Sequence, residues 1–128
     1  MKIYFIIIFT GLLAAGLTHA QTDYPRDLTL SWVNASTYTD GTLIETGDLT
    51  GIRLECFRHD DTITPVMNAT VPASGEGQAQ TEVFTGAIAK PGTYTCYGYS
   101  VVIGGIESDP SVPTSEKFVG KPNPIVFQ

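Results

Sequence analysis

Thr93-Tyr94-Thr95-Cys96-Tyr97-Gly98-Tyr99-Ser100-Val101-Val102-Ile103 is the stretch that decides the fold. Aromatic and β-branched side chains crowd it, the types that fit a pleated, half-buried surface. Gly104-Gly105 follows as a turn, and Ser115 to Val119 reads as the returning strand. Upstream, Gln80 to Phe84 is a further strand, reached through the flexible turn Ser74-Gly75-Glu76-Gly77.

The same two-residue period continues towards the N-terminus. Ile52, Leu54 and Cys56 alternate with Arg53, Glu55 and Phe57, and Leu28, Leu30 and Trp32 alternate with Thr29, Ser31 and Val33. Between these strands lies a long polar connection, Asn34 to Thr50, with turn formers at Asp40-Gly41 and Gly47-Asp48. Ile63 to Val71 is β-rich, and its Pro65 removes a ladder donor and so predicts an edge strand. No stretch after residue 20 carries helical amphipathicity over three turns, and most prolines sit between strands. Six or seven short strands with turn signals about every ten residues predict one all-β domain, a two-sheet β-sandwich.

The N-terminus has the three parts of an export signal. Lys2 is a positive start, Ile3 to Leu17 is uncharged and apolar, and Thr18-His19-Ala20 puts small residues where a signal peptidase reads. The apolar run is short of the roughly 20 residues that cross a bilayer, so residues 1–20 are expected to be a cleaved signal peptide. The expected remainder is a sandwich over residues 21–119 and an extended, Pro-containing tail over 120–128. Losing Lys2 leaves six Lys and Arg against thirteen Asp and Glu, an acidity that disfavours nucleic acid and anionic lipid as partners. The expected location is secreted, periplasmic or on the cell surface, with no membrane insertion after cleavage.

These landmarks make the chain resemble the fibronectin type III family over nearly all of residues 21–119. Trp32 in Leu28-Thr29-Leu30-Ser31-Trp32 matches the family's buried tryptophan, and Ile52, Leu54 and Cys56 match its third-strand pattern. Ile88-Ala89-Lys90-Pro91-Gly92-Thr93-Tyr94 looks like its tyrosine corner, in which the ring packs inside and the hydroxyl returns to upstream backbone. Gly105-Ile106-Glu107-Ser108-Asp109-Pro110-Ser111 is similar to the loop before the last strand. An immunoglobulin domain is the rival, since Tyr94-Thr95-Cys96 has its tyrosine-to-cysteine spacing. Its first cysteine precedes the tryptophan, however, whereas Cys56 follows Trp32. The connection Asn34 to Thr50 is longer than the family's usual one, and the first strand, around Thr22 to Pro25, is barely legible.

The resemblance implies a structural core built on Trp32, Ile88 and Tyr94. It also makes the strands of Cys56 and Cys96 antiparallel neighbours, so that a disulfide would close a loop of about forty residues within one sheet. The alternative is two buried thiols.

Catalytic groups are sparse, and a non-enzyme with no cofactor and no metal is expected. His59 is the one histidine after residue 20, beside Asp60 and Asp61 at a strand end, and a solvated turn explains it. The acidic pairs match no calcium-loop spacing, and no glycine opens a helix to cradle phosphate. Asn34-Ala35-Ser36 and Asn68-Ala69-Thr70 fit the glycosylation acceptor pattern, which matters only in a host with that pathway. The remaining candidate is a surface. Tyr38, Leu43 and Ile44 on the long loop and Ile103 and Ile106 on the next should emerge at one end of the sandwich as anchors for a protein or glycan. Folding back of Leu43 and Ile44 as a cap is the competing reading. An interaction module is therefore the leading expectation. A component or decoration of a larger assembly, such as an envelope structure or phage particle docked by its tail, is the alternative.

Overall fold

The computed structural model describes residues 24–127; the expected signal peptide at 1–20 lies outside them. Every regular element among the described residues is a strand. These are β1 (Arg26–Val33), β2 (Leu49–Arg58), β3 (Met67–Pro72), β4 (Ala79–Ile88), β5 (Gly92–Val102), β6 (Ile106–Glu107) and β7 (Thr114–Phe118). β1 and β4 form a two-stranded antiparallel sheet. The second sheet has five strands, ordered β3-β2-β5-β6, with β7 pairing β5 beyond β6. The expected all-β two-sheet sandwich is what forms.

Alternation places the core. β1 sends Leu28, Leu30 and Trp32 inward, β2 sends Ile52, Leu54 and Cys56, and β5 sends Tyr94, Cys96 and Val102; with Ile88 they form one buried cluster. Trp32, Ile88 and Tyr94 thus occupy the structural places expected of them. The Tyr94 hydroxyl donates to the Lys90 carbonyl at 2.6 Å, so a ring buried in the core keeps its polar end satisfied while fixing the corner from β4 into β5. Gly92, at φ 149°, suits that corner because L side chains rarely adopt such a backbone conformation.

Two strand readings change. The β-rich run from Ile63 is a strand only from Met67, because the Asp61 carboxylate accepts from the amides of Ile63 and Thr64 and curls that part into a turn. Pro65 therefore lies before the edge strand rather than in it. The segment expected as the loop before the last strand holds a two-residue strand, β6, and between β6 and β7 hydroxyls serve as acceptors along β5. Ser108 Oγ accepts from the Ser100 amide and Ser111 Oγ from the Gly98 amide, both at 2.9 Å, carrying the ladder past Pro110.

Cys56 and Cys96 face each other across β2 and β5 and are bonded. They tie the two central strands of the five-stranded sheet and close a loop with a separation of 40 residues. The double variant Cys56→Ala/Cys96→Ala is expected to lose about 3 to 4 kcal/mol in urea unfolding, the loop-closure contribution for that length. An unchanged midpoint would show that the bridge restrains nothing the sheet does not already hold.

Candidate functional site

The loop end of the sandwich is assembled outward from one buried amide. Asn34, just past β1, accepts from Trp32 Nε1 at 2.7 Å, and its own Nδ2 donates to Gly75 O at 2.9 Å, Gln80 Oε1 at 3.1 Å and Ser74 Oγ at 3.2 Å. Its backbone amide donates to Gln78 O. The loop between β3 and β4 is therefore clamped to the core tryptophan. From that loop, the Glu76 carboxylate reaches across to accept from the amides of Gly47 at 3.0 Å and Leu49 at 3.3 Å. Hydrogen bonds from its own amide, then from those of Leu49 and Gly47, hold its carboxyl below the usual glutamate range. Next to Glu76's partners, Asp48 O accepts from the Ile103 amide at 2.9 Å. Three loops, 34–48, 73–78 and 103–105, are joined in one end of the molecule, as expected for the first and third.

Within the first loop the backbone doubles back. Tyr38 and Thr42 pair through Tyr38 N to Thr42 O, Thr37 bridges Leu43, and Asp40 Oδ1 accepts from both the amide and the hydroxyl of Thr42. Ile44 N then donates to Ser36 O. The result separates two neighbours that the sequence put together. Ile44 is 5% exposed and belongs to the core, whereas Leu43 is 74% exposed. Ile44 is thus withdrawn from the candidate surface: its side chain is the plug that fastens the loop. Tyr38 is half-buried and packs on the core, so it is a support more than an anchor. Ile103 and Ile106 remain outside, at 59% and 52%.

The chemistry around these side chains is one-signed. No Lys or Arg occurs in the three loops. Tyr38 holds its proton more tightly than usual, through loss of solvent first and then through the charges of Asp48, Glu45, Asp40 and Glu76. Leu43 and Ile103 are exposed on these same acidic loops.

Two other places are accounted for by structure. On the outer face of the five-stranded sheet, Arg53 lies 4.0 Å over the Tyr99 ring, binds Glu107 through Nε and Nη2 and reaches Glu55 and Asn68. That guanidinium is fully engaged. Further along the face, Phe57, Arg58, His59, Thr62, Thr95 and Tyr97 line an open cleft of about 150 Å³. His59 Nδ1 accepts from the Thr93 amide at 3.3 Å, which ties the ring to the start of β5. Among the described residues, no three His, Cys, Asp or Glu side chains gather as metal ligands.

The two acceptor tripeptides part company. Asn34 is 3% exposed with its amide nitrogen spent on three acceptors, so the folded chain presents nothing to glycosylate there. Asn68 is exposed on the outer face of β3. Compared with known proteins, the chain matches no family model, no curated protein and no solved structure.

Glu76 makes the loop end sensitive to acid. Its lowered carboxyl contributes stability that is present above the unfolded value of about 4.3 and is lost as pH falls through the folded value below it. Glu76→Gln should therefore be less stable than the parent at pH 7, with the gap closing as pH drops below about 4, read by thermal unfolding across pH. A gap that stays constant to pH 3 would show that the charge of Glu76 is not what the loop amides require.

Proposed function

We propose that this protein is an exported, non-catalytic interaction module that grips a protein partner with the loop end of its sandwich. The observation that carries the reading is Leu43. A loop tied down by hydrogen bonds on both sides, and fastened by the burial of the very next residue, holds a large apolar side chain out in water. Ordering such a loop in advance lowers the cost of association, and an apolar tip in a fixed frame is what an interface centre needs. The loops of this end carry carboxylates and no Lys or Arg, which favours a partner face with cations beside an apolar recess, and so a protein over a neutral glycan.

The resemblance to fibronectin type III domains supports the reading. The buried Trp32 and the corner at Tyr94 support that resemblance, while the two-plus-five arrangement of strands and the place of Trp32 on the first described strand depart from the family's pattern; members of that family present loops at the ends of the sandwich. The bonded cysteines agree with an oxidising, extracytoplasmic location. No helix among the described residues is long and apolar enough to cross a membrane.

Substitution separates anchor from plug. Leu43→Ser is expected to change stability by less than about 0.5 kcal/mol, while Ile44→Ser costs about 3 kcal/mol or more. A photo-crosslinking residue at position 43, in the native host, should then trap one protein, with the yield falling about tenfold on adding Ile103→Ser. The same group at Thr85, on the two-stranded sheet, should trap nothing. Equal capture from both positions would remove the loop end as the binding surface.

A further inference from the structure

β1 is one of the two strands of the smaller sheet, each of which has a single ladder partner. Among the described residues it pairs with β4 alone, which leaves one edge of an eight-residue strand without a ladder partner. β4 lies towards β3, since Gln80 Nε2 donates to the Pro72 carbonyl at 2.8 Å. The open edge of β1 consequently faces the other flank, where β7 turns Thr114, Glu116 and Phe118 inward. Contact on that flank is direct: Tyr24, two residues before β1, donates its hydroxyl to the Val119 carbonyl at 2.7 Å. From Leu28 to Val33 the edge contains no proline and no charge, the usual guards against an added strand.

The segment after β7 has the opposite problem. Residues 119–127 join no strand, yet Ile125, Val126 and Phe127 are β-formers exposed to 77%, 79% and 88%. Residues 120–127 number as many as β1. Their one charge is Lys121, so they bring no carboxylate towards Glu116. Pro122 and Pro124 bar the segment from the middle of a sheet and suit it to an outer strand, which needs hydrogen bonds on one side only.

We propose that residues 120–127 of one copy add to the open edge of β1 in a second copy, as a further strand of the two-stranded sheet. Ile125 and Phe127 share one face of that strand and close over the flank between β1 and β7. The acceptor is a second copy rather than the same chain for a geometric reason. β7 runs towards the end where β1 begins, because Phe118 pairs Gly92 and Arg26 pairs Ile88, four residues earlier. To lie along its own β1 the segment must reverse over Pro122-Asn123-Pro124, leaving three residues to pair. A neighbour's β1 accepts the whole length. Donor and acceptor are different surfaces, so the contact either closes by reciprocal exchange between two copies or extends head-to-tail into rings or filaments.

Sedimentation velocity on protein expressed from the full sequence tests this, over about 1 to 200 μM. The parent should self-associate with concentration, and Ile125→Lys/Phe127→Lys, both at exposed positions, should weaken association at least about tenfold while leaving thermal unfolding unchanged. A synthetic peptide of residues 120–127 should dissolve the parent's oligomers and slow hydrogen exchange at Thr29 to Val33 in the double variant. The proposal is overturned by a parent that stays monomeric at 200 μM, by oligomers indifferent to the double variant, or by peptide protection falling on β3 in place of β1. A monomer whose own β1 amides lose protection in the double variant would place the segment on its own chain, which also overturns it.

Discussion

The buried side chain of Asn34 is the constraint on which the loop end of this molecule rests. Trp32 must bury its indole for the core to close, and a buried N–H without a partner costs about 1 to 3 kcal/mol. Asn34 supplies the acceptor from two residues away, and its own amide then has to be satisfied in turn. The nearest acceptors are the Gly75 carbonyl, the Ser74 hydroxyl and the Gln80 amide, so satisfying the tryptophan orders the loop between β3 and β4. That loop carries Glu76, whose carboxylate orders the start of β2. Strand β2 brings in Asp48 and, through it, the turn after β5. A single polar requirement inside the core is therefore transmitted, bond by bond, to the loops, where the buried side chains of Ala35 and Ile44 add apolar anchorage.

Stability is distributed unevenly around this chain of bonds. β2 and β5 are the central strands of the larger sheet, flanked on both sides and joined by the bridge from Cys56 to Cys96. Strands β1 and β4 have only each other within their sheet and depend on the shared core for the rest. Opening that begins at the edge of the smaller sheet breaks fewer interactions than opening at the larger one. The disulfide protects the frame, and the flank opposite it is left as the part of the sandwich most available to another strand.

Strand content was legible wherever one face is buried. Leu28, Leu30 and Trp32, then Ile52, Leu54 and Cys56, announce their faces because the alternation survives over six residues, whereas β5 was legible as a strand from its aromatic and β-branched residues and not as a face, since Gly98 and Ser100 turn inward while Tyr97 and Tyr99 turn outward. Pro65 pointed to an edge strand, and β3 is one, but it begins only at Met67, because Asp61 accepts from the amides of Ile63 and Thr64 and holds the residues before the proline in a turn. The two-residue β6 has too little length for any period. In the loop, Leu43 and Ile44 are adjacent and equally apolar, and irregular backbone has no repeat to say which one turns in. Asn34 was legible only as an acceptor tripeptide, since nothing local shows that Trp32, Gly75 and Gln80 converge on it.

Position on the sandwich settles how the two surfaces relate. β1 runs from the end where the segment after β7 departs to the end where Asn34 begins the loops, so the tip at Leu43 and the root of that segment at Val119 lie at opposite ends. A strand added along β1 occupies the flank between them and stops short of the loops, because the β1 ladder ends at Val33, one residue before Asn34. Copies joined in this way keep every loop end uncovered, and the assembly repeats the same acidic, apolar-tipped surface. Weak recognition by a single tip would then act at several points on one partner surface, where the effective concentration of the second contact, more than the affinity of the first, sets the strength of attachment.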